Sequence, residues 1–287
     1  MARQVVKAPA LRKARNGLVD VANKINVTGT DEDGVTFTPH GCQAIFGHVP
    51  FCPSDEKSPY WDCPPAWNST SYLIEMGLQW SMMDMGADPK AILKEAMDIG
   101  LSPVLERLTW EGVAAVPFGT PILLPTLAGT VATVGITGRV MTPPAGAINT
   151  QIPPTLLGTQ PGGTPPLNVG SSASIPQAIG MLEAKFLDAS DHIAGGGTIF
   201  MSPIIGAQAG EAVDRDQMIT RATESAVIIG NFDADQIIGV IGDVDVYLGE
   251  FEVIEANVVG TNEWVGRAEQ RALAVWNPCG VFSVAIT

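Results

Sequence analysis

The chain has 287 residues, of which 16% are charged and 46% hydrophobic, and a formal net charge of -14. A charged fraction this far below the about 25% of an ordinary globular chain fits either a merely apolar monomer or a subunit whose surface is partly covered by another copy. The acidic balance argues against a surface that holds nucleic acid through clustered Lys and Arg.

The charge is distributed unevenly along the chain. Residues 1–24 contain six basic residues and one acidic residue, so 10 basic and 29 acidic residues remain in 25–287, a net charge of -19 there. The six are Arg3, Lys7, Arg12, Lys13, Arg15 and Lys24. Such a tail can bind an acidic face of a neighbouring subunit, nucleic acid or nothing in particular, and we favour the neighbour. No apolar run follows the basic start, so we expect no secretory signal.

The first third of the chain predicts an arm followed by a long excursion. Residues 1–35 predict an extended arm that ends in turn-forming and acidic residues. Strand-like segments at 35–48 and 70–83 flank a proline-rich loop at 49–65. Together these segments predict a two-stranded excursion with an irregular tip.

A helix is predicted over residues 89–110. Asp88 is a good N-cap, and proline is well tolerated at the first helical position, where no amide hydrogen bond is lost. An apolar face then continues to Trp110. Because Pro103 removes a backbone hydrogen bond inside this pattern, we expect a kink or a break near Ser102.

Two uncharged segments follow the helix. Residues 112–138 lack charge, but their prolines exclude a good transmembrane helix and favour short buried strands. Residues 141–173 contain seven prolines, five glycines and no charge. A solvated linker is usually charged, so we expect this segment to lie against protein surface.

The last part of the chain predicts a mixed α+β fold with most strands late in the sequence. Ser174 and Gln177 have the spacing of a capping box at a helix start. The predicted elements are a helix from Ser174 to the glycines at 195–197, a strand at 198–201, a helix or turn at 204–213, strands at 224–229, 245–256 and 272–286, and a helix or turn at 261–271.

Few residues suggest chemistry. A cluster of Cys and His within 24 residues, made up of His40, Cys42, His48, Cys52 and Cys63, lacks the paired ligands typical of zinc sites. Free thiols are favoured, while a disulfide such as Cys52 to Cys63 and a zinc site stay open, as does the state of Cys279. Acidic residues near 233–245 lack the spacing of a calcium loop and predict solvated turns. We therefore predict no catalytic, cofactor-binding or metal residue, and no enzyme.

The final segment resembles a known family. Residues 257–287 read NVVGTNEWVGRAEQRALAVWNPCGVFSVAIT, with a basic and alanine-rich run at 267–275 followed by 276–279, WNPC. This segment resembles the end of tailed-phage major capsid proteins of the Hong Kong 97 fold, and the chain looks closest to those of actinobacterial phages. The order of elements upstream is also similar to that family.

The resemblance implies a division of the chain into five parts. These would be an N-terminal arm at 1–35, an extended E-loop at 36–86, the spine helix with the start of the peripheral domain and a Pro/Gly-rich insertion at 87–173, an axial domain at 174–245, and C-terminal strands of the peripheral domain at 246–287. If 36–86 forms such a loop, its deletion should abolish assembly while the remaining core still folds.

The resemblance also implies a structural function. The chain would assemble as hexamers and pentamers of an icosahedral shell in the host cytoplasm and would enclose packaged double-stranded DNA without sequence-specific binding. The chain would be located in the virion capsid, its partners would be a scaffold, a portal and decoration proteins, and no cofactor or membrane would be involved. The alternatives are an encapsulin-like nanocompartment shell, a minor virion or tail structural protein and, least favoured, a metal-dependent enzyme.

Overall fold

The computed structural model describes residues 16–29, 34–37, 67–70, 72–81, 89–111, 121–123, 135–137, 167–189, 196–257, 263–276 and 281–287. The helices are α1 (Leu18–Val21), α2 (Pro89–Glu111), α3 (Ile175–Ala189) and α4 (Pro203–Gln208), with a 3-10 turn at Gly210–Ala212. The strands are β1 (Asn23–Asn26), β2 (Gly34–Phe37), β3 (Trp67–Thr70), β4 (Tyr72–Ser81), β5 (Pro121–Leu123), β6 (Gly135–Thr137), β7 (Leu167–Ser172), β8 (Gly197–Met201), β9 (Val213–Asp214), β10 (Ile219–Thr220), β11 (Ala226–Ile229), β12 (Gln236–Ile241), β13 (Asp245–Leu248), β14 (Glu252–Asn257), β15 (Glu263–Val275) and β16 (Val281–Ile286).

A five-stranded sheet is organised around β15. Along one side β15 pairs antiparallel with β4, and along the other with β14 and then β13. The sheet is completed by β1, which pairs in parallel with β13. The prediction of a helix or turn at 261–271 is therefore wrong, because strands on both sides of β15 supply partners for its backbone groups.

A seven-stranded sheet of mixed direction has the order β7, β16, β12, β8, β11, β10, β9. Helix α3 packs against β16, β7, β12 and β8. Because side chains alternate along a strand, Ile199 and Met201 of β8 belong to the cluster under α3, whereas Phe200 belongs to the opposite cluster. The sheet is therefore buried on both faces.

Helix α2 confirms the helix predicted at 89–110, but not a break near Ser102. The helix continues through Pro103 without interruption. The buried apolar side chains of this helix are Leu93, Met97, Leu101, Val104, Leu105, Leu108 and Trp110. Their burial against the sheets offsets the roughly 3 kcal/mol that an internal proline costs a helix.

Residues 16–29 pack onto the body of the protein. Leu18 and Val19 in the single turn of α1 are 0% and 4% exposed and belong to the main hydrophobic cluster. Strand β1 follows at once and joins β13. A helix of one turn is not stable alone, so α1 depends on these tertiary contacts.

The strands predicted between residues 35 and 83 are confirmed where they are described. Strand β2 pairs antiparallel with β3, and β4 covers most of the segment predicted at 70–83. The proline-rich loop at 49–65 lies outside the described residues. Ile74 of β4 is fully buried in the main cluster. Deletion of 36–86 would therefore remove a buried residue of the core as well as the loop.

In the two uncharged segments, the short strands predicted within 112–138 are confirmed by β5 and β6, which pair antiparallel. Strand β7 was not predicted, and it forms the end of the proline-rich segment. Strand β7 pairs in parallel with β16. For these six residues, the structure agrees with the expectation that 141–173 lies against protein surface. Among the described residues, no helix is long and apolar enough to cross a membrane.

Helix α3 begins directly after Ser174, as predicted, although its cap differs from a simple capping box. The Ser174 amide donates to Oγ of Ser172 at 3.0 Å. That same hydroxyl lies 3.2 Å from Oε1 of Gln177. Ser172 thus takes part in the capping contacts expected between Ser174 and Gln177. The strand at 198–201 is confirmed as β8, and that at 224–229 as β11.

Candidate functional site

The carboxylate of Glu106 joins three parts of the chain that are distant in sequence. Glu106 is 2% exposed and projects from the buried face of α2. Its Oε1 accepts hydrogen bonds from the Leu18 amide and the Ser102 hydroxyl, both at 2.9 Å. Its Oε2 accepts one from the Asn231 amide at 2.7 Å. We call these residues, together with Gly17 and Gly230, the Glu106 junction.

The junction also caps helix α1. Gly17, the N-cap residue, has no side chain to accept from the first amides of the helix. Glu106 accepts from the Leu18 amide instead, and the Ser102 hydroxyl accepts from the Val19 amide at 3.1 Å. Two residues of α2 therefore satisfy the amides that a local cap would otherwise have to satisfy.

Two glycines make room for the carboxylate. A Cβ atom at Gly230 would lie 2.4 Å from Cδ of Glu106, and one at Gly17 would lie 2.5 Å from Oγ of Ser102 and 2.8 Å from Oε1 of Glu106. All three distances are below ordinary van der Waals contact, so a side chain at either glycine would displace the carboxylate or its partner. No ion pair to Glu106 occurs among the described residues, where hydrogen bonds alone compensate its burial.

Aromatic contacts connect the Glu106 junction to the seven-stranded sheet. Phe232 follows Asn231, and its ring centroid lies 5.2 Å from that of Trp110 in α2. On its other side Phe232 makes an edge-on contact at 5.5 Å with Phe200 of β8. The end of α2, the turn after β11 and the sheet are thereby fixed to one another.

A second buried carboxylate, Glu183, lies on α3. Its Oε1 accepts a hydrogen bond from the Thr223 hydroxyl at 2.9 Å. The Thr223 and Ser225 hydroxyls are 2.7 Å apart, and Oγ of Ser225 accepts from the Gly197 amide at 3.2 Å. This cluster holds the turn between β10 and β11 against α3, and its hydrogen bonds among the described residues do not reach the Glu106 junction.

Several exposed apolar side chains lie at element ends and sheet margins. Leu167 at the start of β7 is 58% exposed, Ile204 in α4 is 62% exposed and Ile254 in β14 is 43% exposed. In the described part of the chain, β7 and β9 are the end strands of the seven-stranded sheet. Strand margins of this kind are available for contact with a second chain.

Most residues that the sequence analysis weighed as possible sites are not described. His40, Cys42, His48, Cys52 and Cys63 lie outside the described residues, as does Cys279. Of the acidic residues near 233–245, Asp233 accepts a hydrogen bond from Nε2 of Gln236 at 3.3 Å, and Asp245 accepts one from Nδ2 of Asn23 at 3.3 Å. The described residues contain no group of His, Cys, Asp or Glu that could hold a metal ion.

The Glu106 junction was missed by the sequence analysis. One signal was available, because Glu106 is a single charge on the apolar face of α2 and lies four residues after Ser102. Its partners could not be predicted, since Leu18 and Asn231 are 88 and 125 residues away.

Known proteins match the chain in structure but not in sequence. No protein-family model matches the sequence, and no curated protein matches it. A chain from the capsid of an empty GTA particle superposes with a TM-score of 0.60 at 10% identity, covering 100% of this chain and 95% of that one. A chain from the major capsid and decoration proteins of phage G has a TM-score of 0.52 at 7% identity, covering 99% and 95%. The virus-like particle of Pyrococcus furiosus has a TM-score of 0.51 at 10% identity, covering 93% and 92%. The predicted α+β fold of the Hong Kong 97 type is therefore confirmed.

Proposed function

We propose that this chain, which has the capsid fold, is the major capsid protein of a tailed phage and assembles into an icosahedral shell around packaged double-stranded DNA. The observation on which the proposal depends is the extent of the structural likeness. The chain and the GTA capsid chain match over 100% and 95% of their lengths, so the likeness is not confined to one shared domain.

Surface properties support assembly as the function. A shell subunit covers much of its surface with other copies, so a charged fraction of 16% is expected for it. Exposed Leu167 and Ile204 lie where a neighbouring copy could cover them. The net charge of -19 over 25–287 also suits a container for DNA, because a wall of like charge does not adhere to its contents.

We assign the parts of the chain within this proposal as the resemblance implied. Residues 1–35 are the N-terminal arm, 36–86 the E-loop, 87–173 the spine helix with the start of the peripheral domain and the insertion, and 174–245 the axial domain. Residues 246–287 supply the C-terminal strands of the peripheral domain. The exception is β16, which we assign to the axial domain and not to the peripheral domain because it pairs with β12.

A second candidate function is a nanocompartment shell of the encapsulin type. The virus-like particle of Pyrococcus furiosus has a likeness to this chain almost as strong as that of phage G, with TM-scores of 0.51 and 0.52. The two functions share a shell and differ in its contents, so the contents of purified particles separate them.

The test is expression of the full chain alone and together with candidate scaffold and portal proteins. Negative-stain microscopy and sedimentation should show closed particles, and nuclease-protected DNA should be recovered from particles made in infected cells. Protein cargo in place of DNA would favour the compartment. A monomer of 30.1 kDa that does not associate under any condition would refute both candidate functions. Oligomers that never close into particles would also refute both and would favour a minor virion protein.

A further inference from the structure

The Glu106 junction determines where the N-terminal segment, residues 1–15, joins the body. Asn16, the first described residue, accepts a hydrogen bond through its carbonyl from the Ile229 amide at 2.8 Å. Two residues later the Leu18 amide donates to Glu106. The chain before Asn16 therefore starts from a point held by both α2 and the end of β11.

These contacts hold a segment that has little stability of its own. Helix α1 has four residues, and its N-cap residue makes no side-chain capping bond. Its first two amides depend on Glu106 and Ser102, and Leu18 and Val19 are buried only while it is docked. The loss of the carboxylate acceptor would thus release residues 16–22 before it released the rest of the fold.

The segment that starts there differs in charge from the rest of the protein. Residues 1–15 contain Arg3, Lys7, Arg12, Lys13, Arg15 and no acidic residue, whereas 25–287 has a net charge of -19. In a symmetric shell every copy must present such a segment at the same place for it to meet the same surface of a neighbour.

We infer that Glu106 is a positioning residue for assembly, which fixes the origin of residues 1–15 so that each subunit presents its basic segment to an acidic neighbour in one geometry. This inference rests on the proposed shell function. Glu106 acts through α1 and does not itself touch the neighbouring subunit.

The test compares Glu106→Gln with Glu183→Gln in the full chain. Both substitutions replace a buried carboxylate on a helix by its amide, but Glu183 contacts the turn at 220–225 and not the N-terminal segment. Hydrogen exchange read by mass spectrometry should show about a tenfold or greater loss of protection at 16–22 in Glu106→Gln, because the glutamine side chain is neutral and has one acceptor oxygen where the carboxylate uses two for the Leu18 and Asn231 amides. In Glu183→Gln the loss should fall at 220–225 instead.

Assembly is then measured on the same two proteins at matched stability, by light scattering and microscopy. We expect Glu106→Gln to assemble more slowly or into irregular particles, and Glu183→Gln to assemble like the parent chain. If Glu106→Gln does not fold, Ser102→Ala is the milder variant, since it removes the acceptor of the Val19 amide and leaves the carboxylate in place.

A third full-chain variant has the five basic residues of 1–15 changed to Gln. It tests whether Glu106 affects assembly through these basic residues. Its assembly defect and that of Glu106→Gln should not add when the changes are combined. Normal assembly of Glu106→Gln, unchanged protection at 16–22, or additive defects would each overturn the inference. Failure of the parent chain to form any particle would instead refute the proposed function, and the exchange measurement would still decide whether Glu106 holds α1.

Discussion

Substitution of Gly230 by Ala tests whether the Glu106 carboxylate is held as tightly as its contacts indicate. The new Cβ would lie 2.5 and 2.7 Å from the two carboxylate oxygens. These oxygens cannot move away without lengthening hydrogen bonds to the Leu18 and Asn231 amides. Backbone strain is not involved, because Gly230 is not among the glycines with a left-handed conformation.

Two opposing effects determine how Gly230→Ala changes the free energy of unfolding. Alanine restricts the unfolded chain and by itself would stabilise the protein by about 0.4 to 1 kcal/mol. Overpacking costs about 1 to 3 kcal/mol, and weakening a hydrogen bond to a buried charge costs about 1.5 to 3 kcal/mol. We therefore expect Gly230→Ala to lower the free energy of unfolding by about 2 to 4 kcal/mol.

Urea unfolding of the unassembled subunit measures this change as a lower midpoint at an unchanged slope. Gly180→Ala is the matched control, because a Cβ there meets no atom within 4 Å and α3 should gain about 0.5 to 1 kcal/mol from the replacement. A urea midpoint for Gly230→Ala equal to or above that of the parent chain would show that the Glu106 carboxylate can move aside without loss of stability, which contradicts a tightly packed junction.

Three further predictions concern other parts of the molecule. Replacement of 38–66 by a short Asn-Gly turn should leave the thermal unfolding of the subunit nearly unchanged but abolish closed shells in negative stain, and shells of normal appearance would contradict the assignment of the E-loop. Phe186→Ala should lower the free energy of unfolding by about 3 to 5 kcal/mol in urea, because this ring is 0% exposed under the sheet, whereas Leu167→Ala, at a position 58% exposed, should change it by less than about 0.5 kcal/mol. Burial and then the charge of Asp245 raise the pKa of Tyr247 above its ordinary value of 10.0, so the unfolded chain ionises first and stability is lost as the pH rises past that value. Tyr247→Phe should flatten this alkaline loss in urea midpoints measured against pH, and identical slopes would show that the phenol does not contribute.

Local signals were sufficient for the starts of α2 and α3 but not for α1, which lies within the segment predicted as an extended arm. The Asp88 and Pro89 start and the apolar spacing of α2 predicted its bounds closely, and Ser174 marked the start of α3. The continuity of α2 through Pro103 could not be predicted in the same way. It depends on buried contacts with the sheets and with α1, none of which is local in sequence.

Strand β15 shows where local reasoning fails. The run at 267–275 is rich in Ala, Glu, Gln and Arg, which favour helices, yet it is a strand paired on both sides. Ala268 and Ala272 are buried at 0% and 1% exposure, so small side chains are used to fit this strand against the core. Tertiary contacts decide the conformation here, as they decide the partners of Glu106.

The parallel pairing of β1 with β13 also has a consequence for synthesis. Asn23 aligns with Asp245, and β4 aligns with residues 263–272, so β1 and β4 lack their sheet partners until almost the whole polypeptide has left the ribosome. Contacts this distant in sequence form slowly, because the entropy of a long loop is lost before the contacts begin to stabilise the chain. The nascent chain therefore completes its five-stranded sheet as one of its last folding events. A truncated translation product that stops before residue 245 lacks β13, the strand with which β1 pairs.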